Sequence, residues 1–172
     1  MEKKDLKPAG VFKYFEEICQ VPRPSKKEEK MIAYLKAFGA KHNLETKVDE
    51  AGNVLIKKPA TPGKENLQTV VLQSHIDMVC EKNNDVQHDF LTDPIETEID
   101  GEWLKAKGTT LGADNGIGVA TELAILADDS IEHGPLECLF TVDEETGLTG
   151  AFALKEGFMS GDILLNLDSE DE

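Results

Sequence analysis

The sequence predicts an α/β fold, a three-layer sandwich in which helices flank a mixed, mainly parallel sheet. Segments with helical spacing alternate with short apolar runs. Several of those runs are apolar throughout, as expected of strands covered on both faces. Three of them, VVLQSHID, LFTVDEE and LLNLD, end in residues that can bind a metal ion. Ligands gather beyond the carboxyl ends of strands in such sheets, so these three ends are the first place to look for a site.

The first half of the chain predicts two helices, a hairpin and a strand. The segment PAGVFKYFEEICQ has apolar residues at helical spacing and ends before the breaker VPRPS. Ser25 and Glu28 have the spacing of a capping box at the start of a second helix, SKKEEKMIAYLKAFGAKHN. The segment LETKVDEAGNVLIKKPA predicts a hairpin with AGN at its turn, and QTVVLQSHIDMV predicts a strand that becomes polar at its end.

The second half predicts the elements that carry the remaining polar ends. An irregular loop, NNDVQHDFLTDPIE, precedes a hairpin around Asp100-Gly101. The rest of the chain alternates helix and strand. In order, the predicted elements are a helix in NGIGVATELAILADD, a buried strand in PLECLFTVDEE, a short helix in GLTGAFALKEG and a last buried strand in DILLNLD.

Charge is distributed unevenly along the 172 residues, whose net charge is −16. Residues 1–74 carry 14 Lys and Arg against 10 Asp and Glu, a net charge of +4, whereas residues 75–172 carry 4 against 24, a net charge of −20. So acidic a half repels nucleic acid and anionic membranes, and we expect neither as a partner. No apolar run is long enough to span a bilayer or to form a signal peptide, and Cys19, Cys80 and Cys138 show no disulfide or zinc-knuckle spacing. The expected location is the cytoplasm.

Two motifs supply the first candidate ligands. His75 and Asp77 of SHID are two residues apart, so their side chains point the same way in a strand; the imidazole can bind zinc and the carboxylate can orient the ring. A structural histidine at a strand end is the alternative. In GTTLGADNGIGVA, Asp114 lies at a helix entry without a Lys or Arg in the loop, which argues against a phosphate site. Asp114 can bridge two cations, or Asp114 or Asn115 can cap the helix.

Two further strand ends carry carboxylates. Glu144 and Glu145 would face opposite ways in a regular strand, and Gly147 and Gly150 indicate that the chain leaves the strand there. One carboxylate can then bind a metal while its neighbour acts as a general base. Asp168 ends the last apolar run; a solvated acidic loop and a simple turn are the alternatives for these two ends. Two zinc or manganese ions roughly 3.5–4 Å apart would explain why such carboxylates tolerate one another.

The motifs SHIDMV, GADNGIG, TVDEETGLTGA and NLDSE, with HDFLTDPIE between them, resemble the aminoacyl-histidine dipeptidases, also called Xaa-His or cytosol nonspecific dipeptidases. These belong to the co-catalytic zinc exopeptidases, together with peptidase T and carnosinase. The resemblance runs along nearly the whole chain, from GVFKYFEEICQVPRPSKKE onward. It implies a dinuclear zinc enzyme, with Mn²⁺ or Co²⁺ as alternatives, that hydrolyses dipeptides such as β-alanyl-histidine.

The resemblance also implies a role for each candidate residue. A water that bridges the metals attacks the peptide carbonyl; Glu144 is the general base that activates it and then passes the proton to the leaving amine. Asp77 orients or polarises the imidazole. The implied metal ligands are His75 and Asp168 at one zinc, Glu145 at the other, and Asp114 between the two.

Members of this family are much longer, so residues 1–172 are expected to be the N-terminal part of the catalytic metallopeptidase domain. The inserted lid and dimerisation domain and the C-terminal part, which supplies another His ligand, are then absent. We therefore expect this chain to bind one zinc or none, to have little or no peptidase activity, and to self-associate through unpaired sheet edges.

Two other functions stay open at this stage. An N-acyl amino acid amidohydrolase or an aminotripeptidase would use the same metal chemistry, although HDFLTDPIE favours the dipeptidases. A non-catalytic acidic metal-binding module is the second. His88 is the first residue of HDFLTDPIE, and for it both a loop role and a substrate-binding role stay open.

Overall fold

A computed structural model describes residues 2–168 of the protein. A single 3-10 turn, Lys3–Asp5, precedes the regular elements. The helices are α1 (Ala9–Cys19), α2 (Glu29–Lys41), α3 (Ala113–Ala127) and α4 (Thr149–Ala153). The strands are β1 (Glu45–Val48), β2 (Val54–Lys58), β3 (Val70–His75), β4 (Thr97–Asp100), β5 (Trp103–Ala106), β6 (Leu136–Thr141) and β7 (Ile163–Asn166).

Five of the strands form one mixed sheet in the order β1-β2-β6-β3-β7. Strand β3 runs parallel to both of its neighbours, β6 and β7, whereas β2 is antiparallel to β1 and β6. Strands β4 and β5 form a separate antiparallel hairpin. The predicted α/β class, with helices flanking a mixed sheet, is confirmed, and the parallel strands lie together at β6, β3 and β7.

The hydrophobic core lies mainly between the sheet and helices α1, α2 and α3. One cluster of buried side chains joins these helices to the sheet. It contains Phe140 of β6 together with Phe15 and Ile18 of α1, Leu35 of α2 and Leu123 of α3. Alternate strand residues point to the opposite face. There Leu55, Val71 and Leu139 contact the segment that follows α4. Within residues 2–168, no helix is long and apolar enough to cross a bilayer.

The predicted capping box at the start of α2 is wrong. The N-cap residue of α2 is Glu28, and its side chain makes no capping hydrogen bond. The Ser25 hydroxyl instead donates to Asp77 Oδ2 at 2.7 Å, and Glu28 Oε1 accepts the backbone N–H of Asp143 at 2.9 Å. The S-x-x-E spacing therefore connects this segment to two strand ends rather than capping its own helix.

The last predicted strand is present as β7, but the prediction that it is buried is wrong. Ile163, Leu164 and Leu165 are 39%, 50% and 48% exposed. Strand β7 lies at the edge of the sheet and pairs with β3 alone. Its apolar composition is that of a covered strand, yet within the described residues its outer edge is unpaired and these side chains are only about half covered.

Candidate active site

The parallel strands bring three polar ends to one edge of the sheet. His75, the last residue of β3, is in register with Thr141 of β6, and Gln73 is in register with Asn166 of β7. Because β6, β3 and β7 run parallel, the residues that follow them emerge on the same side. The entry of α3 brings Asp114 to this point as well, since its carboxylate contacts His75.

His75 is the centre of the site. Its side chain is 1% exposed, and its Nδ1 lies 3.2 Å from Asp77 Oδ1. Three carboxylates surround the other nitrogen: His75 Nε2 is 3.0 Å from Asp114, 3.9 Å from Glu144 and 3.8 Å from Asp168. Burial lowers the pKa of the imidazole, but the hydrogen bond and charge of Asp77, with Asp114 and Asp168, outweigh burial and raise the pKa to about 9. The ring is therefore protonated at neutral pH, and a metal ion at Nε2 would replace that proton.

Asp77 connects His75 to the turn after β6. It is fully buried, and besides His75 it accepts hydrogen bonds from the backbone N–H groups of Glu144 at 3.0 Å and Glu145 at 3.2 Å. Burial raises the pKa of the Asp77 carboxyl, but the hydrogen bonds from His75, Glu144 and Ser25 outweigh burial and lower it. Asp77 is thus an ionised group that fixes the imidazole and the turn together.

The three consecutive carboxylates after β6 separate because the chain leaves the strand at Asp143. Asp143 has a left-handed backbone, with φ of 49°, and its side chain is buried and accepts the Thr146 hydroxyl at 2.6 Å. Glu144 and Glu145 are half-buried and follow in the turn. Gly150, in the first turn of α4, packs against the end of β6: a Cβ there would overlap with Val142 O and lie 2.5 Å from Asn53 Oδ1.

The two glutamates have raised pKa values. For Glu144 the largest cause is burial, which outweighs the opposing charge of His75 with help from Asp168, Asp77 and Asp114. For Glu145 burial again comes first, followed by the charge of Asp114. Burial, and after it the acidic groups nearby, therefore favours a proton or a cation at both glutamates.

Asp114 lies at the entry of α3 but does not cap this helix. The N-cap of α3 is Gly112, which has a left-handed backbone and makes no side-chain capping bond. Asp114 and Asn115 have non-helical backbone angles, and neither amide atom of Asn115 has a hydrogen-bond partner among the described residues. Asp114 is 72% exposed and its carboxylate is directed at His75. The capping alternative therefore fails for both residues.

The side chains present fit a zinc ion. His75, Asp114 and Asp168 each offer one ligand atom, and the three atoms lie within 4.8 Å of one another. One imidazole and two carboxylates, with an open position, are a zinc ligand set. Glu145 is not a member of this group, although the charge of Asp114 acts on it. The last two residues of the NLDSE motif lie outside the described residues.

Ser25 and Glu28, which the sequence assigned to a capping box, lie beside the candidate site instead. Glu28, Asp77 and Asp143 form a second buried carboxylate group within 4.8 Å, but their oxygens accept hydrogen bonds from the main chain and from Ser25 and Thr146. These three carboxylates therefore hold the turn after β6 in place rather than offering free ligand atoms. No local signal in the sequence distinguishes this long-range role of Ser25 and Glu28 from a capping box, because both roles use the same S-x-x-E spacing.

Comparisons with known proteins show which family the chain resembles. The model of Peptidase family M20/M25/M40 matches residues 71–168. The chain is 52% identical over 171 residues to the cytosol non-specific dipeptidase of Escherichia coli, covering 99% of this chain and 35% of that protein. The solved aminoacylhistidine dipeptidase from Vibrio alginolyticus is 56% identical with a TM-score of 0.96, and the match covers 100% of this chain and 35% of that one.

A more distant structure shares the fold. The aminopeptidase PepT from Bacillus cereus is 26% identical with a TM-score of 0.79, and the match covers 94% of this chain and 43% of that one. The chain spans about a third of the length of the Escherichia coli and Vibrio proteins. The resemblance to the aminoacyl-histidine dipeptidases is confirmed, and the chain belongs to Peptidase family M20/M25/M40.

Proposed function

We propose that this chain carries the metal centre of a dipeptidase that hydrolyses Xaa-His dipeptides such as β-alanyl-histidine. The observation that carries the proposal is the group of three carboxylates, from Asp114, Glu144 and Asp168, around the buried Nε2 of His75. Two relatives above 50% identity support the substrate class, because they carry the names cytosol non-specific dipeptidase and aminoacylhistidine dipeptidase. We further propose that the protein acts in the cytoplasm.

We propose that His75, Asp114 and Asp168 hold one zinc ion, and that Asp114 and Glu145 hold a second. When bound, such ions polarise a peptide carbonyl and make water a better nucleophile at neutral pH. Two carboxylates alone are a poor zinc site, so these residues favour one tightly held ion per chain, with Mn²⁺ or Co²⁺ as possible substitutes.

In this proposal Glu144 moves the proton. Its raised pKa suits a group that must accept a proton near neutral pH and release it again. The carboxylate takes the proton from the attacking water as the new C–O bond forms, and gives it to the leaving nitrogen as the C–N bond breaks. Asp77 keeps Nε2 of His75 directed at the site through its bond to Nδ1.

A chimera tests the proposal. The segment of the Escherichia coli dipeptidase that matches this chain, 35% of that protein, is replaced by the chain. The chimera should hydrolyse β-alanyl-histidine, and Glu144→Gln should keep its zinc while turnover falls about 10²–10⁴-fold. Preference for an N-acetyl amino acid would support the amidohydrolase alternative, and unchanged turnover in Glu144→Gln would contradict the general-base role.

We propose little or no turnover for the 172-residue chain alone, because Asp114 and Glu145 are the two ligands that we assign to the second ion, and two carboxylates are a poor zinc site. We also propose that copies of this chain associate through β7, whose Ile163, Leu164 and Leu165 are exposed at a sheet edge. Sedimentation of the purified chain at increasing concentration tests this association.

A further inference from the structure

A buried arginine lies behind the candidate site. Arg23 is 2% exposed, and its Nη1 donates to the carbonyls of Ile76 and Asp77, each at 3.3 Å. Its Nη2 donates to the carbonyl of Gly112 at 2.7 Å. These acceptors are all main-chain oxygens. An arginine remains charged in proteins, and the charges of Asp77 and Glu145 favour the buried guanidinium, but its direct hydrogen-bond partners are these carbonyls.

The three carbonyls belong to two segments that each carry a candidate metal ligand. Ile76 and Asp77 directly follow His75, whereas Gly112 precedes Asp114 by two residues. The planar guanidinium presents several donors in a fixed arrangement, so one side chain can hold both segments at a set spacing. One candidate ligand from each segment meets the other, since Nε2 of His75 and the carboxylate of Asp114 are 3.0 Å apart.

The glycines of GADNGIG leave room for this guanidinium. A Cβ at Gly112 would lie 2.6 Å from Arg23 Nη2, and a Cβ at Gly116 would lie 2.8 Å from the same atom. Gly112 also needs a left-handed backbone, with φ of 67°, whereas Gly116 lies in the regular part of α3. The motif therefore fits around Arg23, and Gly116 gives a way to displace Arg23 without removing its charge.

We propose that Arg23 is a positioning residue of the metal centre: it ties the end of β3 to the entry of α3 and so fixes the spacing between His75 and Asp114. This inference rests on the proposed function, since it takes those two residues as ligands of one ion. Arg23 itself does not touch the metal or the substrate.

Lys58 provides a matched control at the other end of the sheet. It is also a buried cation, 7% exposed, and its Nζ donates to the carbonyls of Ile125 at 3.1 Å and Asp128 at 2.8 Å. Removing it should cost stability as removing Arg23 does, but it holds neither candidate ligand. If Arg23 only stabilised the fold, then replacing Arg23 and replacing Lys58 should weaken zinc binding equally.

The test measures the zinc dissociation constant of the full chain by competition with a chromophoric chelator. Arg23→Met and Arg23→Lys should each weaken zinc binding about 10–100-fold, because Lys keeps the charge but cannot hold both segments. Gly116→Ala should weaken zinc binding as well, although Ala suits a helix. Lys58→Met should bind zinc like the wild type, and so should Gly10→Ala, whose added Cβ would lie 3.5 Å from Ala124 Cβ.

The outcomes separate the possible causes. Wild-type affinity in Arg23→Lys would assign the effect to charge alone and would overturn the bridging role. An equal loss of affinity in Lys58→Met would assign it to general destabilisation and would overturn it too.

If the wild type binds no zinc, the proposed ligand set fails, and a second measurement, hydrogen exchange in the metal-free chain, still tests the role of Arg23. The Gly112 carbonyl accepts both Arg23 Nη2 and the Gly116 N–H, the latter at 3.2 Å. In the metal-free chain, Arg23→Met and Arg23→Lys should speed hydrogen exchange at the Gly116 amide, whereas Lys58→Met should not. Unchanged exchange in both Arg23 variants would overturn the inference whatever the zinc result.

Discussion

Replacing Glu122 by Gln should change how the stability of the chain depends on pH. Glu122 lies on α3 with 0% exposure, facing the Ser74 hydroxyl and the Cys138 thiol. Neither of its oxygens makes a well-formed hydrogen bond to the described residues. Burial raises the pKa of the Glu122 carboxyl well above its ordinary value of 4.5, although Ser74 and Cys138 act in the opposite direction. The folded chain therefore keeps a proton that the unfolded chain releases.

The size of the effect follows from proton linkage. Above about pH 4.5 the folded state holds one proton more than the unfolded state at this position. The free energy of unfolding then falls by about 1.4 kcal/mol per pH unit until the folded-state pKa is reached. Gln has nearly the same shape and cannot ionise. As the pH rises from 4.5 towards the folded-state pKa, the wild type should therefore lose about 1.4 kcal/mol per pH unit relative to Glu122→Gln.

The assay is urea unfolding followed by far-ultraviolet circular dichroism at several pH values. Glu137→Gln is a matched control, because Glu137 is also buried but pairs with Lys57 at 2.6 Å. Burial raises the pKa of Glu137, yet the hydrogen bonds from Lys57 and Ser160 outweigh burial and lower it. Its contribution to stability is thus lost only as the pH falls below about 4.5, and the control difference should be flat above pH 5. Parallel curves for wild type and Glu122→Gln would refute the reasoning.

Three further predictions concern the site and the sheet edge. Asp77→Asn should weaken zinc binding about 10–100-fold, because it weakens the bonds to His75 and to the turn after β6; equilibrium dialysis measures this. Gly150→Ala should lower the free energy of unfolding by about 1–3 kcal/mol in urea, because the added Cβ meets the main chain of Val142. Leu164→Lys should reduce concentration-dependent self-association in sedimentation experiments, because it charges the exposed edge strand.

Each of these predictions has a control and a contrary result. Asp128→Asn changes an exposed carboxylate outside the site and should leave zinc binding unchanged; equal losses in Asp77→Asn and Asp128→Asn would remove Asp77 from the site. Gly10→Ala adds a Cβ at an ordinary contact distance of 3.5 Å, so a loss as large as that of Gly150→Ala would refute the steric account. If Leu164→Lys associates like the wild type, the contact between copies does not involve β7.

The sequence predicted the order of the elements because their patterns are local. The apolar run of β3 and the alternating helix and strand segments can be recognised from neighbouring residues alone. The convergence of His75 and Asp168 also followed, since parallel strands place their carboxyl ends together. The assignment of these residues to metals stays a prediction until metal binding is measured.

The errors arose where a residue serves a distant partner. Ser25 and Glu28 have a local capping pattern, yet their partners are Asp77 and Asp143, which are 52 and 115 residues away in the chain. Burial of β7 depends on what packs against a sheet edge, and the strand's own composition does not contain that information. Arg23, in the segment assigned as a helix breaker, could not be placed at the site for the same reason.

The measurement that tests the central claim most directly is the zinc content of this chain after equilibration with excess zinc and removal of unbound ion. About one tightly held zinc per chain, lost in both His75→Ala and Asp168→Ala and kept in Asp128→Ala, is the result predicted by a site built on these side chains. No tightly held zinc in the wild type, or zinc that both site variants retain, would contradict it.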